Sequence, residues 1–196
     1  MIFGDPYKFA IQFDYVKEWE IANLVDDGVF TFIIKGYYHP LELFAISEKI
    51  SIYFGLLLEE VHKLFHKVDN DDLFLCDCDV AYGILNDIGA EIREKFDDPS
   101  LSEYIDKLYA LRDNCLLGMP ELDWPNHDYA WLISSGAEEK IIFKKPGGEI
   151  DEIILEKGYC LRVMLDAMHW AKKRYRNSDT FSAVGTKYRY DLIPKG

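Results

Sequence analysis

Between residues 7 and 38 the apolar and polar positions follow the two-residue period of an extended chain. Phe9, Ile11 and Phe13 alternate with Lys8, Gln12 and Asp14, with Ala10 the one small residue on the second side, so residues 7–16 predict a strand with one buried face. In residues 28–38, Phe30, Phe32 and Ile34 share one side while Val29, Thr31, Ile33 and Lys35 share the other, which predicts a more interior strand. Asp5-Pro6 and Asp26-Asp27-Gly28 supply turn chemistry around these runs, and the two read as antiparallel neighbours. Pro40 ends the second run, and residues 41–52 fit neither a strand nor a helix period. From 53 to 67 the period lengthens: Leu57, Val61, Leu64, Phe65 and Val68 fall at helical spacing, with Glu59, Glu60, His62, Lys63 and His66 on the other sides. Asp69-Asn70-Asp71-Asp72 breaks this pattern as a loop. A helix over 79–96 follows from Val80, Ile84, Ile88 and Ile92, and another over 101–116 from Leu101, Tyr104, Ile105, Leu108 and Leu111, with Ser100 or Ser102 as its cap.

Gly118-Met119-Pro120 through Asn126-His127-Asp128 reads as a loop that carries Trp124 and separates two halves of the chain. Beyond it come strands at 129–135, 138–145 and 149–155, joined by turns at Ser135-Gly136-Ala137 and Pro146-Gly147-Gly148. A closing helix over 157–175 would bury Leu161, Met164, Leu165, Met168, Ala171 and Tyr175. Lys172, Lys173, Arg174 and Arg176 crowd its C-terminal end, where the helix dipole favours cations. Tyr188, Tyr190 and Leu192 alternate with charged residues in a final edge strand. Strands, then helices, then strands and a helix predict an α+β fold, an antiparallel sheet packed against several α-helices, in a single domain over 1–196.

Charge narrows the function. A formal net charge of -13 repels nucleic acid and anionic membrane alike, and its natural complement is a basic protein, although acidity also serves solubility alone. The chain has 13 Tyr, 12 Phe and 4 Trp, a stock of aromatics that serves core and interface equally. No run is long and apolar enough to span a bilayer. Gly4, Asp5, Pro6, Lys8, Gln12 and Asp14 interrupt every apolar run near the N-terminus, so no export signal is expected and the cytosol is the expected compartment. Cys76, Cys78, Cys115 and Cys160 then read as small apolar fillers rather than a disulfide framework.

Chemical motifs are sparse. His62 and His66 stand four apart on a helix, a spacing that lets two imidazoles face one metal ion, but Lys63 occupies the place where a zinc protease needs its glutamate. Asp69, Asp71, Asp72, Asp77 and Asp79 lack the glycine and glutamate of a calcium loop: counting from Asp69, the sixth position is Phe74 and the twelfth Val80. They read either as a solvated loop or as a docking patch for lysine and arginine. No phosphate-binding glycine loop or nucleophile elbow occurs, and Ser134-Ser135-Gly136 with a distant His169 is no more than a chance pairing.

The opening residues Phe3-Gly4-Asp5-Pro6-Tyr7-Lys8-Phe9-Ala10-Ile11-Gln12 followed by Glu18-Trp19 resemble the immunity protein 42 family of bacterial polymorphic toxin and contact-dependent inhibition systems. Gly28-Val29-Phe30-Thr31-Phe32-Ile33-Ile34-Lys35-Gly36 and Pro40 are similar to that family's second strand and turn, and Gly158-Tyr159-Cys160-Leu161-Arg162 to the start of its last helix. The resemblance implies a non-enzymatic protein, with no catalytic residues to carry over, that binds and neutralises one cognate toxin domain, and no metal or cofactor is expected. For the toxin-binding surface the acidic segment supplies Asp69, Asp71, Asp72, Asp77 and Asp79, with Asp97 and Asp98 as a second patch and Trp124 as an anchor. Gly4, Asp5 and Pro6 are expected to build the entry to the first strand rather than touch a partner. Two alternatives stand beside this reading: a metal-dependent hydrolase using His62 and His66, and an adaptor that self-associates as a homo-oligomer through its aromatic surface.

Overall fold

The computed structural model describes residues 1–15, 28–39, 57, 60–95, 99–117 and 129–174. It is an α+β fold with two antiparallel sheets, each in the strand order of the sequence. Strands β1 (Ile2–Gly4), β2 (Phe9–Tyr15), β3 (Gly28–Ile34) and β4 (Tyr37–His39) form the first sheet; β5 (Leu116–Leu117), β6 (Ala130–Ser135), β7 (Glu138–Lys144) and β8 (Ile150–Glu156) form the second. The helices are α1 (60–65), α2 (Asp71–Leu75), α3 (Cys78–Lys95), α4 (Ser102–Cys115) and α5 (Tyr159–Arg174), with a 3₁₀ turn at Pro99–Leu101 before α4. Backbone contacts divide the chain into two compact units. One comprises Met1–Tyr38, Leu43–His62 and Cys160–Gly196, the other His39–Glu42 and Lys63–Tyr159.

In the first unit, β2 and β3 pair with Phe13 opposite Phe30 and Ile11 opposite Phe32, and Phe3 of β1 faces Ile11. These residues share one face with Phe9 and Ile34. Their rings meet edge-on across the strands, Phe13 to Phe30 at 5.7 Å between centroids, the arrangement that aromatic quadrupoles favour. Trp170 of α5 packs against the same face, 5.7 Å from Phe3 and 5.9 Å from Phe13. On the second face Ala10, Thr31 and Ile33 are also buried, as the pattern of an interior β3 requires.

The expected single strand over 28–38 is in fact a hairpin. Lys35 and Gly36 both have positive φ, 50° and 85°, and form the two-residue turn whose twist matches the strands it joins. Lysine in the first place hid this turn from the sequence, because asparagine or aspartate is the usual signal there. Asp5-Pro6-Tyr7-Lys8 is likewise a turn between two strands: the Lys8 amide donates to the Asp5 carbonyl at 2.9 Å, and the Tyr7 amide to Asp5 Oδ1 at 2.9 Å. The Pro6 carbonyl accepts from the Gly36 amide at 2.7 Å and so ties the two turns together.

In the second unit, the helices cover one face of the second sheet. Trp131, Ile133 and Ile142 from β6 and β7 meet Leu73 of α2, Tyr82, Leu85, Ile88 and Ile92 of α3, and Cys115 at the end of α4. Leu132, Ile141, Phe143 and Leu155, on the opposite face, are buried as well. Lys140 lies inside this core at 3% exposure, where Nζ donates to the Cys76 carbonyl at 2.9 Å, pairs with Glu152 at 3.2 Å and stands over the Phe74 ring.

Several expectations needed correction. Glu60 is buried, not on an outer side of α1. Asp71 and Asp72 are not loop residues but the first turn of α2, which Asn70 caps by accepting from the Leu73 amide at 3.0 Å. Helix α4 starts at Ser102, so the capping position is held by Leu101, which has no side-chain cap hydrogen bond, rather than by Ser100 or Ser102. The buried stripe of α3 is Ala81, Tyr82, Leu85, Ile88 and Ile92, whereas Val80 and Ile84 face outward. Steps of four overshoot a helical turn by about 40° each, so a row four apart cannot stay on one face. In α5 the buried stripe is Cys160, Val163, Met164, Ala167, Met168 and Ala171, and Leu161 and Leu165 are only partly covered. Residues 118–128 with Trp124, the tail strand expected near 188–192, Tyr175 and the segment 41–52 lie outside the described residues.

Candidate functional site

The acidic segment is built onto the second sheet. Asn114 at the end of α4 holds the Val68 backbone from both sides: its Oδ1 accepts from the Val68 amide and its Nδ2 donates to the Val68 carbonyl, both at 2.9 Å. Lys67 donates to the Asn114 carbonyl. Two residues on, the Asn70 amide donates to the Ser134 carbonyl at 2.9 Å. The Asp69 carboxylate takes Lys157 Nζ on both oxygens, at 2.6 and 2.8 Å, and Asp71 Oδ1 accepts from Ser135 Oγ at 2.7 Å. These links join residues 67–71 to α4, to the β6–β7 turn and to the residues after β8. Asp69 and Asp71 are thus engaged within the protein.

Asp72, Asp77 and Asp79 are not. All three are exposed, with no side-chain ion pair among the described residues. Asp72 follows the Asn70 cap in the first turn of α2, and Asp79 lies in the first turn of α3, where helix dipoles favour negative charge. Asp77 supports the start of α3 through its carbonyl, which accepts from the Ala81 amide at 2.9 Å. Asp97, Asp98 and Trp124 lie outside the described residues.

The sequence reading missed the apolar residues beside these acids. Leu75 is 81% exposed, Val80 52% and Ile84 40%. Val80 and Ile84 contribute to the four-residue spacing that predicts this helix, but that spacing does not say which face is buried. The signal that would have placed them outside is the neighbouring Ala81, Tyr82, Leu85 stripe, whose mixed steps of three and four keep to one face. Between residues 68 and 92 there is no lysine, arginine or histidine, while Asp69, Asp71, Asp72, Asp77, Asp79, Asp87 and Glu91 all fall there. Glu91 closes this field at the far end of α3. It accepts from Lys95 and from Tyr104 Oη, the latter at 2.8 Å, and these hydrogen bonds hold its carboxyl below the ordinary range.

The remaining candidates have plainer surroundings. His62 and His66 are both exposed, and the described residues contain no group of three His, Cys, Asp or Glu able to hold a metal ion. Cys76 and Cys78 are half-buried and free; burial, then the charges of Asp79 and Glu152, push the Cys78 thiol up. Cys115 and Cys160 are fully buried, as small fillers should be. Ser134 is buried in β6. Tyr37 and Tyr38 are exposed at the hairpin end of the first sheet. No helix among the described residues is long and apolar enough to cross a membrane.

The segment from 69 to 91 thus joins anchored and open acidic side chains with the exposed apolar residues Leu75, Val80 and Ile84. The chain belongs to the immunity protein 42 family, whose model matches residues 1–170. That span takes in both sheets and all of α5 but its last turn. The crystal structure of CdiI from Burkholderia dolosa AUO158 shares the fold, with a TM-score of 0.57 and 18% identity over 87% of this chain and 99% of that one. Among curated proteins none matches the chain.

Proposed function

We propose that this protein is the immunity partner of a contact-dependent inhibition type toxin. It binds the toxin's C-terminal domain in the cytosol of the producing cell and blocks that domain's active site or substrate surface. It acts by binding and performs no catalysis. The observation that carries this reading is the family match over residues 1–170. The likeness of fold to a CdiI protein supports it, as does a net charge of -13, which suits a basic partner.

Asp72, Asp77 and Asp79 are the acids proposed to meet the toxin, while Asp69 and Asp71 hold their segment in place. A surface fixed before binding loses little conformational freedom on association. Long-range attraction between an acidic edge and a basic face speeds encounter and sets register more than it adds affinity. The test pairs growth of cells expressing the toxin domain from the neighbouring reading frame, with and without this protein, with calorimetric titration of the purified partners. Rescue and 1:1 binding are expected. Neither rescue nor binding would overturn the proposal.

A further inference from the structure

Helix α3 carries a glycine that the fold itself does not need. Gly83 lies inside an 18-residue helix, in its second turn, with helical rather than positive φ. A Cβ built on it meets nothing within 4 Å. Glycine at such a place lowers helix stability relative to alanine, and neither backbone conformation nor internal packing explains it here. Gly83 falls on the outward side of α3, three residues from Val80 and four from Asp87, with Ile84 the next residue and itself four from Val80. Those two apolar side chains are 52% and 40% exposed. Asp79 and Asp87 flank them on the same helix, and neither has an ion pair among the described residues.

We infer that the outward face of α3, centred on Val80, Gly83 and Ile84, is the core of the contact with the toxin, and that a basic stretch of toxin backbone passes directly over Gly83. This rests on the immunity reading above and specifies its surface. The missing side chain at Gly83 lets another main chain approach closely. Val80 and Ile84 supply the desolvated centre that hot spots require, and the acids form the rim. The occupant is a lysine- or arginine-bearing protein segment, because no cationic side chain of this chain lies between residues 68 and 92 to oppose it.

The experiment compares wild type, Gly83→Ala, Ile84→Ala and Asp87→Asn in titrations against the same purified toxin domain, with Asp106→Asn on the exposed side of α4 as a charge-matched control. Gly83→Ala is the decisive variant, because it improves the helix. We expect its melting temperature to rise by about 2 to 4 °C while its affinity for the toxin falls at least about tenfold. Ile84→Ala should weaken binding to a similar extent. Asp87→Asn should slow association at low salt, and Asp106→Asn should leave affinity unchanged. If wild type binds and both Gly83→Ala and Ile84→Ala bind equally well, this surface is wrong and the immunity reading stands. If Gly83→Ala melts lower than wild type, the glycine serves the fold and the inference fails on that ground. Absence of wild-type binding overturns both.

Discussion

Replacing Gly4 by alanine probes the closest approach in the first sheet. Gly4 ends β1 with φ at 88°, and a Cβ there would stand 2.5 Å from the Phe9 carbonyl oxygen and 2.8 Å from Cγ2 of Val163 in α5. Neither neighbour can yield cheaply: the first is backbone paired into the sheet, and the second belongs to the buried stripe of a helix. The left-handed conformation costs an L-residue about 1 to 2 kcal/mol, and forcing a methyl into a packed core costs about 1 to 3 kcal/mol more. A total near 3 kcal/mol is a large share of the roughly 5 to 15 kcal/mol that holds a domain folded. For a chain of this length it corresponds to a fall of about 6 to 12 °C in melting temperature. Calorimetry or circular dichroism would measure this, with urea midpoints as a check. In a Val163→Ala background the contact between methyl groups disappears while the carbonyl clash remains, so the same substitution should cost about 1 kcal/mol less there. A Gly4→Ala protein that melted within about 2 °C of wild type would refute the argument.

Further substitutions test other parts of the structure. Lys140→Ala removes the cation from Glu152 and the donor from the Cys76 carbonyl, and should cost about 2 to 3 kcal/mol in urea unfolding; Lys140→Met, which keeps the stem, should cost less. Asp69→Asn breaks a half-exposed ion pair, so it should lower stability by about 0.5 kcal/mol, fade in high salt and leave toxin affinity unchanged. Burial pushes the Cys115 thiol above its ordinary value of 9.0. The stability this group contributes is fully present below that value and is lost as pH rises through the folded pKa, because the unfolded chain ionises first. Cys115→Ala should therefore flatten the alkaline limb of the stability curve. Finally, we propose that residues 1–196 act as one domain; a single calorimetric transition with equal van't Hoff and calorimetric enthalpies would support this, and two separable transitions would exclude it.

Much of the fold could be read from periodicity, and the failures have specific causes. Strand β2 and helices α3, α4 and α5 follow from periodic runs, and β6, β7 and β8 from the turn residues that bound them. Strand β1 has three residues and β5 two, too few for a period to emerge. They exist because β2 and β6 offer them a partner, which is a tertiary cause. The outward placement of Val80 and Ile84 is hidden by their being as apolar as the residues inside; only the competing Ala81, Tyr82, Leu85 stripe, with its mixed steps of three and four, marks the buried face of α3. Asp69, Asp71, Asp72, Asp77 and Asp79 were legible as a group. Their division into two engaged and three open carboxylates was not, because it depends on Lys157 and Ser135, which lie 88 and 64 positions away. The opening Phe3-Gly4-Asp5-Pro6 was visible as a family resemblance, but the reason for Gly4 lies in Val163, far along the chain.

That pairing also sets a schedule for synthesis. Strand β1 is made well before Val163 and Trp170, against which it and β2 pack, with the whole of the second unit synthesised in between. At about 5 to 20 residues per second, the aromatic face of the first sheet waits roughly 8 to 30 seconds for its helix. During that interval Phe3 and Phe13 lack the Trp170 ring that packs against them in the folded protein. A truncation before residue 160 would leave that face without α5, so the packing of the first sheet depends on residues made long after its strands.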